Sequence, residues 1–210
     1  MRIGQSLSVV CLAATWAFPH SSLATTKGLS QIVTPDVQPE GELSLSAQAQ
    51  ARIIGNPSQL QAELGVTKRL EIAAFEGLSP GEQTLGAQWA LVQQEPYLLT
   101  TGFINWSTRG SHPQPFLEGG YYTEHDKFMA GPIRVQGQTE ALLGWAHDFN
   151  STWRFQLDYE SGTDNFFTAG VTWNATSRLQ FNPALYLSNS HPRRQFGYLV
   201  VTYTLPLWKP

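Results

Sequence analysis

The sequence has one cysteine, few charged residues and, beyond its N-terminal stretch, no long apolar run. The cysteine, Cys11, lies inside that N-terminal stretch, so a processed chain would lack disulfides, thiolate metal sites and cysteine nucleophiles. Charged residues make up 14% and the net charge is −3, which is too small to indicate a nucleic-acid partner. No later apolar stretch approaches the roughly 20 residues that a spanning helix needs, so any membrane insertion must use strands.

The N-terminus has the pattern of an export signal. Met1 and Arg2 form a short positive region, residues 7–18 are mostly apolar, and Ala24 ends a small-x-small cleavage pattern. Residues 1–24 are therefore predicted to be a signal peptide. A membrane anchor or a core helix is the alternative, but the apolar run is too short to span a membrane.

Residues 25–40 contain Pro35 and Pro39, few apolar residues and no periodicity. They predict an extended lead-in on the periplasmic side, with a disordered tail as the alternative. Residues 41–210 then form the single remaining domain, because their length and composition give no sign of a second one.

The remainder of the chain is dominated by residues that alternate between apolar and polar, and the hairpin at residues 152–173 shows this most regularly. One face of its first strand carries Trp153, Phe155, Leu157 and Tyr159. The opposite face carries Arg154, Gln156, Asp158 and Glu160. A period of two is the signature of a β-strand with one apolar and one wet face.

About twelve such strands follow one another between residues 41 and 205, with connections that alternate between short turns and longer loops. The apolar faces begin and end in Trp or Tyr, as in the aromatic girdles of membrane barrels. The fold predicted is all-β, an antiparallel up-and-down transmembrane β-barrel. The residues predicted for the girdles are Trp89, Tyr97, Trp145, Trp153, Tyr159, Trp173 and Tyr203.

The inward faces carry more acidic than basic residues. The residues predicted to line the lumen are Glu42, Glu63, Glu71, Glu118, Arg134, Asp148, Arg154, Asp158 and Glu160. Charges that line a pore set its ion selectivity, so this excess predicts either a small cation-leaning pore or a nearly closed barrel bridged by charges.

No catalytic, metal or cofactor site is predicted. Ser111-His112 and Ser190-His191 are adjacent pairs in loops, and adjacent side chains of an extended chain point apart, which disfavours a nucleophile and base. The run Glu124-His125-Asp126 contains possible metal ligands, but consecutive polar residues in a turn more often face solvent.

Three segments carry a resemblance to a known family: LQFNPALYLSNSHPRRQFGYLVVTYTLPLW at the C-terminus, GVTKRLEIAAFEG, and IVTPDVQPEGELSL. Together they resemble small bacterial outer-membrane barrels, in particular the transporter-like MetA-pathway of phenol degradation family. The resemblance implies a location more than an activity. It also implies a C-terminal strand that the barrel-assembly machinery reads, although Lys209 and Pro210 follow the last aromatic, Trp208.

The function predicted is a passive channel or transporter for small solutes in the outer membrane of a Gram-negative bacterium. Its expected partners are outer-membrane lipid, the barrel-assembly machinery and small solutes, without nucleic acid. No enzymatic activity is expected, and nothing in the sequence indicates an oligomeric state. A structural or adhesive closed barrel is the first alternative, and a soluble secreted β-sandwich binding protein is the second.

Overall fold

The structure is a computed structural model that describes residues 29–78, 81–107, 112–191 and 194–209. The predicted signal peptide, residues 1–24, lies outside the described residues. Among the described residues, no helix is long and apolar enough to cross a membrane.

Twelve antiparallel strands form one closed barrel, which confirms the predicted fold and excludes the β-sandwich. Each strand pairs with its neighbours in sequence, and the first strand pairs with the last along its whole length to close the sheet. The strands are β1 (Glu42–Gln50), β2 (Ser58–Thr67), β3 (Leu70–Leu78), β4 (Gly81–Gln94), β5 (Tyr97–Ser107), β6 (Gln114–Tyr122), β7 (Asp126–Val135), β8 (Gln138–Asp148), β9 (Trp153–Glu160), β10 (Phe166–Asn174), β11 (Leu179–Ser188) and β12 (Gln195–Pro206).

One end of the barrel, the near end, contains the start of β1, the end of β12 and five short turns. Three of these turns share one hydrogen-bonding pattern. The Oγ1 atom of Thr67 accepts hydrogen bonds from the backbone amides of the second and third residues after it, at 3.1 and 3.0 Å. Thr176 and Asn150 do the same. A side-chain oxygen therefore satisfies the backbone of each tight turn, as Asn and Thr commonly do. The opposite end is called the far end.

The alternation places polar side chains inside the barrel and apolar ones outside. Along β1, Ser44 is 0% exposed, whereas the next residue, Leu45, is 43% exposed. The same contrast holds between Glu71 and Ile72 on β3. A soluble core has the opposite arrangement, and this one matches a barrel whose outer wall faces lipid.

All seven residues predicted for the aromatic girdles lie on the outward face. Six of them are in the near-end half of their strands, and Tyr159 lies towards the far end. Trp153 and Trp173 stack with ring centroids 5.8 Å apart, and Trp173 stacks on Phe181 at 5.2 Å. Amphipathic rings of this kind favour the boundary between headgroups and hydrocarbon.

Residues 29–39, the lumen segment, lie inside the barrel, whereas the sequence predicts a lead-in outside it. Leu29, Ile32 and Val33 are at most 9% exposed and pack against inward-facing residues of the wall. The segment reaches β1 through Gly41, whose φ of 81° suits the sharp bend at this point. The prolines and the lack of periodicity do keep the segment out of the sheet, but its backbone finds partners in the lumen.

Candidate functional site: the barrel lumen

The structure places eight of the nine predicted lumen residues on the inward face. Glu63, Glu71, Glu118 and Asp158 are at most 3% exposed, while Glu42, Asp148, Arg154 and Glu160 are half-buried.

Arg134 is the exception, because it lies on the outward face and is exposed. Its neighbours Met129 and Ile133, at 3% and 2% exposure, have the inward positions on β7. The sequence prediction assigned the polar residue to the lumen. The inward and outward faces of β7 are exchanged relative to the prediction, because Met129 and Ile133 pack in the apolar cluster that also contains Leu29 and Ile32.

The wall carboxylates bind the backbone of the lumen segment. Asp158 accepts hydrogen bonds from the backbone amides of Ser30, at 2.8 Å, and Gln31, at 3.1 Å. Glu71 accepts one from the backbone amide of Gln38 at 2.8 Å. Buried backbone amides require partners, and a carboxylate is a strong acceptor. These two acids therefore hold the segment at its two ends rather than line an open pore.

Amide and hydroxyl groups of the wall satisfy the carbonyl groups of the segment. Gln88 Nε2 donates to the carbonyl oxygens of Thr34, at 2.7 Å, and Asp36, at 3.3 Å. The hydroxyl group of Tyr186 donates to the carbonyl oxygen of Ser30. The inward polar residues thus serve both donors and acceptors of a chain that forms no strand of its own.

A charged cluster surrounds Asp36 at the near end of the lumen. The hydroxyl group of Tyr122 donates to Asp36 Oδ1 at 2.6 Å, and Lys127 Nζ lies 5.1 Å from the centroid of the Tyr122 ring. Arg154 binds both carboxylate oxygens of Asp148, at 2.6 and 3.2 Å. Burial opposes ionisation of Asp36, but Lys127 and the Tyr122 hydroxyl outweigh it and hold the pKa of Asp36 below its ordinary value.

Three inward-facing glycines provide space for the segment. A methyl group built on Gly144 would lie 2.9 Å from side-chain atoms of Leu29 and Ile32. One on Gly120 would lie 2.6 Å from Cγ of Pro35, and one on Gly170 would lie 2.6 Å from Oγ of Ser30. A larger residue at Gly144 or Gly120 would displace either the wall or the segment, whereas at Gly170 the contact atom of the segment is the Ser30 hydroxyl.

Sequence reasoning missed the apolar inner wall of β5 to β8 and several polar lumen residues. The apolar residues are Leu98, Phe116, Met129, Ile133, Leu142 and Ala146. The signal was present: the β5 sequence is apolar on both faces, which an empty watery lumen does not explain. Gln88 and Lys127 could have been found from the alternation around Trp89 and Phe128, whereas nothing local marks Asp36.

Beyond the lumen segment, towards the far end, lies an open-mouthed cavity of about 320 Å³, the vestibule. Residues 29–33 form its floor. Its walls come mostly from the far-end halves of β1, β2, β3, β5, β9, β10, β11 and β12, with neighbouring loop residues. The vestibule is therefore closed towards the near end by the lumen segment.

The described residues show little that supports catalysis. Ser190 Oγ and His191 Nδ1 are 3.1 Å apart on an exposed loop, so the expectation that they point apart is wrong. No described side chain forms a hydrogen bond to the second ring nitrogen of His191, as an orienting residue would. Ser111 lies outside the described residues. Within the described ranges, no group of three or more His, Cys, Asp or Glu could hold a metal ion.

Comparison with solved structures identifies similar barrels. KdgM porin is 11% identical, with a TM-score of 0.55 over 77% of this chain and 98% of that chain. NanC porin is 9% identical, with a TM-score of 0.52 over 80% of this chain and all of that chain. A KdgM porin structure in complex with disordered oligogalacturonate gives a TM-score of 0.54 at 12% identity. These likenesses show a porin-like twelve-stranded fold.

No protein-family model matches the sequence, and no curated protein matches it. The resemblance to the MetA-pathway of phenol degradation family therefore stays a prediction.

Proposed function

We propose that this chain is an outer-membrane β-barrel that acts as a passive channel for small polar solutes. In the structure, the lumen segment closes this channel. The observation that carries the proposal is the reversed polarity of the wall, with buried Ser44, Glu71 and Gln88 inside and exposed leucines and tryptophans outside. Such a wall is stable in lipid and encloses a hydrophilic path. The fold shared with KdgM and NanC porins supports the same function.

In this proposal the near end faces the periplasm and the far end faces the cell exterior. Short turns belong on the periplasmic side of such barrels; all five near-end connections are short, whereas the far-end connections include the longer loops at residues 51–57 and 161–165. Lipid surrounds the outward face that carries the residues predicted for the aromatic girdles. The barrel-assembly machinery recognises the C-terminal strand, and residues 1–24 direct export.

Passage requires the lumen segment to move, because its backbone is bound to the wall at Glu71 and Asp158. Its departure would expose both carboxylates to the water-filled lumen. An opened barrel is therefore expected to prefer cations.

Cell fractionation tests the location. The protein is expected in the outer-membrane fraction, and its gel mobility in detergent is expected to change on heating. Recovery in the aqueous supernatant would contradict the proposal.

A reversible disulfide between the lumen segment and the wall tests whether solutes pass through the lumen. Ser30→Cys with Gly170→Cys places two thiols beside each other, since Ser30 Oγ lies 2.6 Å from a methyl group built on Gly170. The only native cysteine, Cys11, lies in the predicted signal peptide. Liposomes containing the oxidised double variant should not swell in small polar solutes, and reduction should restore swelling.

The single variants Ser30→Cys and Gly170→Cys are the controls and should be insensitive to oxidant. If neither the reduced double variant nor the wild-type protein supports swelling, the closed structural barrel is the better interpretation.

A further inference from the structure

We propose that the vestibule binds uncharged polyhydroxylated solutes, namely short neutral saccharides. This inference rests on the proposed function, because it assigns a substrate class to the outer part of the same solute path.

The polar lining of the vestibule consists mainly of amides. The amide side chains that line it are Gln31, Gln48, Gln50, Gln59, Gln61, Asn105 and Asn165. Each primary amide offers two donors and a carbonyl acceptor, whereas a sugar hydroxyl both donates and accepts. An array of amides can therefore bind neighbouring hydroxyl groups without any ionic charge.

A hydrogen bond between two of these amides, Gln48 and Gln61, orients both side chains. Gln61 Nε2 donates to Gln48 Oε1 at 2.6 Å, and the hydroxyl group of Tyr198 donates to the same oxygen at 3.2 Å. Among the described residues, the Nε2 group of Gln48 and the Oε1 atom of Gln61 make no hydrogen bond. This pair thus presents one oriented donor and one oriented acceptor, which reduces the entropic cost of binding.

Aromatic rings form part of the wall beside the amides. Phe166 packs edge-on against Tyr186 at 5.4 Å, and Tyr186 lies 5.3 Å from Tyr198. Phe75 contributes a further ring from β3. Aromatic faces provide apolar contact area for the C–H face of a sugar ring.

The charges of the vestibule oppose anions. Its described lining contains Glu63, Glu160 and Asp164 but neither Arg nor Lys. Glu63 is 3% exposed, and Glu160 accepts a hydrogen bond from Gln31 Nε2 at 3.0 Å. These two acids repel an anionic sugar but give a cationic one little direct contact. Asp164 is the one exposed acid of the described lining, against seven amides, so the lining favours a neutral ligand.

The cavity volume of about 320 Å³ is at the lower end of the range for small-molecule sites. A short saccharide fits this volume, and a longer chain would extend beyond the mouth. The ligand is therefore expected to be a monosaccharide or a disaccharide unit.

Isothermal titration calorimetry on the detergent-solubilised, signal-processed protein tests the ligand class. The probes are maltose as a neutral disaccharide, digalacturonate as an anionic one and the glucosamine disaccharide as a cationic one. Maltose is expected to bind most tightly. Tighter binding of either charged disaccharide, or no binding of maltose, would overturn the inference.

Variants locate the site. Gln61→Leu removes the oriented acceptor and is expected to weaken maltose binding about tenfold, the usual effect of one lost hydrogen bond. Gln138→Leu, at the exposed β7 to β8 hairpin, is the matched control and should bind like the wild type. Equal maltose affinity in the two variants would overturn the assignment, provided that both retain heat-modifiable mobility.

The two proposals fail separately. Maltose binding to the oxidised Ser30→Cys/Gly170→Cys protein needs no passage and is expected to persist. Solute flux without maltose binding would overturn only the ligand class, whereas maltose binding without any flux would overturn only the channel.

Discussion

The carboxylate of Asp158 on β9 accepts a hydrogen bond from the backbone amide of Ser30 at 2.8 Å, across 128 positions of sequence. The same carboxylate also binds the amide of Gln31. A wall residue that the sequence marks as a pore charge thus holds the segment that fills the pore.

Removal of the Asp158 carboxylate should loosen the lumen segment. Hydrogen bonds to charged groups contribute about 1.5–3 kcal/mol each, so Asp158→Ala should raise hydrogen exchange at residues 30 and 31 by about 10- to 100-fold. Mass spectrometry of the detergent-solubilised protein measures this rate. Asp164→Asn, an exposed acid without a hydrogen bond to the segment, should leave exchange unchanged; equal exchange in Asp158→Ala and wild type would contradict the holding role.

Filling the space at Gly144 should displace the segment. Gly144→Val would place methyl groups against Leu29 and Ile32, and overpacking of this kind costs about 1–3 kcal/mol. Swelling of liposomes should become faster than with the wild type. Gly197→Ala is the control, since a methyl group built on Gly197 meets nothing within 4 Å. A Gly144→Val barrel that assembles and swells no faster would argue against the segment as the closure.

The two arginines predicted for the lumen should differ in their effect on stability. Arg154→Gln breaks the two-pronged contact with Asp148 and should cost about 1–3 kcal/mol. Arg134→Gln, on the outward face, should change the stability by less than about 0.5 kcal/mol. The temperature at which gel mobility changes reports both effects. If both variants lowered this temperature equally, Arg134 would have to face the lumen, as the sequence predicts.

Low pH should weaken the contacts that hold the lumen segment in place at Asp36. Because the pKa of Asp36 in the folded protein lies below its ordinary value, ionisation of this carboxyl stabilises the docked segment. That stabilisation is fully present above the ordinary value and is lost as the pH falls through the lowered pKa. Single-channel recordings should show more frequent opening below about pH 4.

Asp36→Asn is the matched variant for this effect. It should open more often at pH 7 and lose most of the change at low pH. A variant that behaves like the wild type at both pH values would exclude Asp36 as the responsive group.

The sequence by itself determined the strands and the closed barrel. A strand has a strict period of two, so each alternating stretch fixes which side chains share a face. Because lipid surrounds the barrel and its interior is polar, the apolar face of each strand points outward and the polar face points inward. In the structure, Trp153 and Trp173 lie on the outward face and Glu71 and Asp158 on the inward face.

Only the tertiary structure decided what fills the barrel. Residues 29–39 have no period of their own, and their partners at Glu71, Gln88 and Asp158 are far away in sequence. Once the segment lies inside, apolar residues such as Met129 and Ile133 are stable on the inward face, which reverses the expected position of Arg134. Local alternation of apolar and polar residues indicates the environment on each side of a strand. In this barrel, part of the inner environment is the lumen segment of the same chain rather than water.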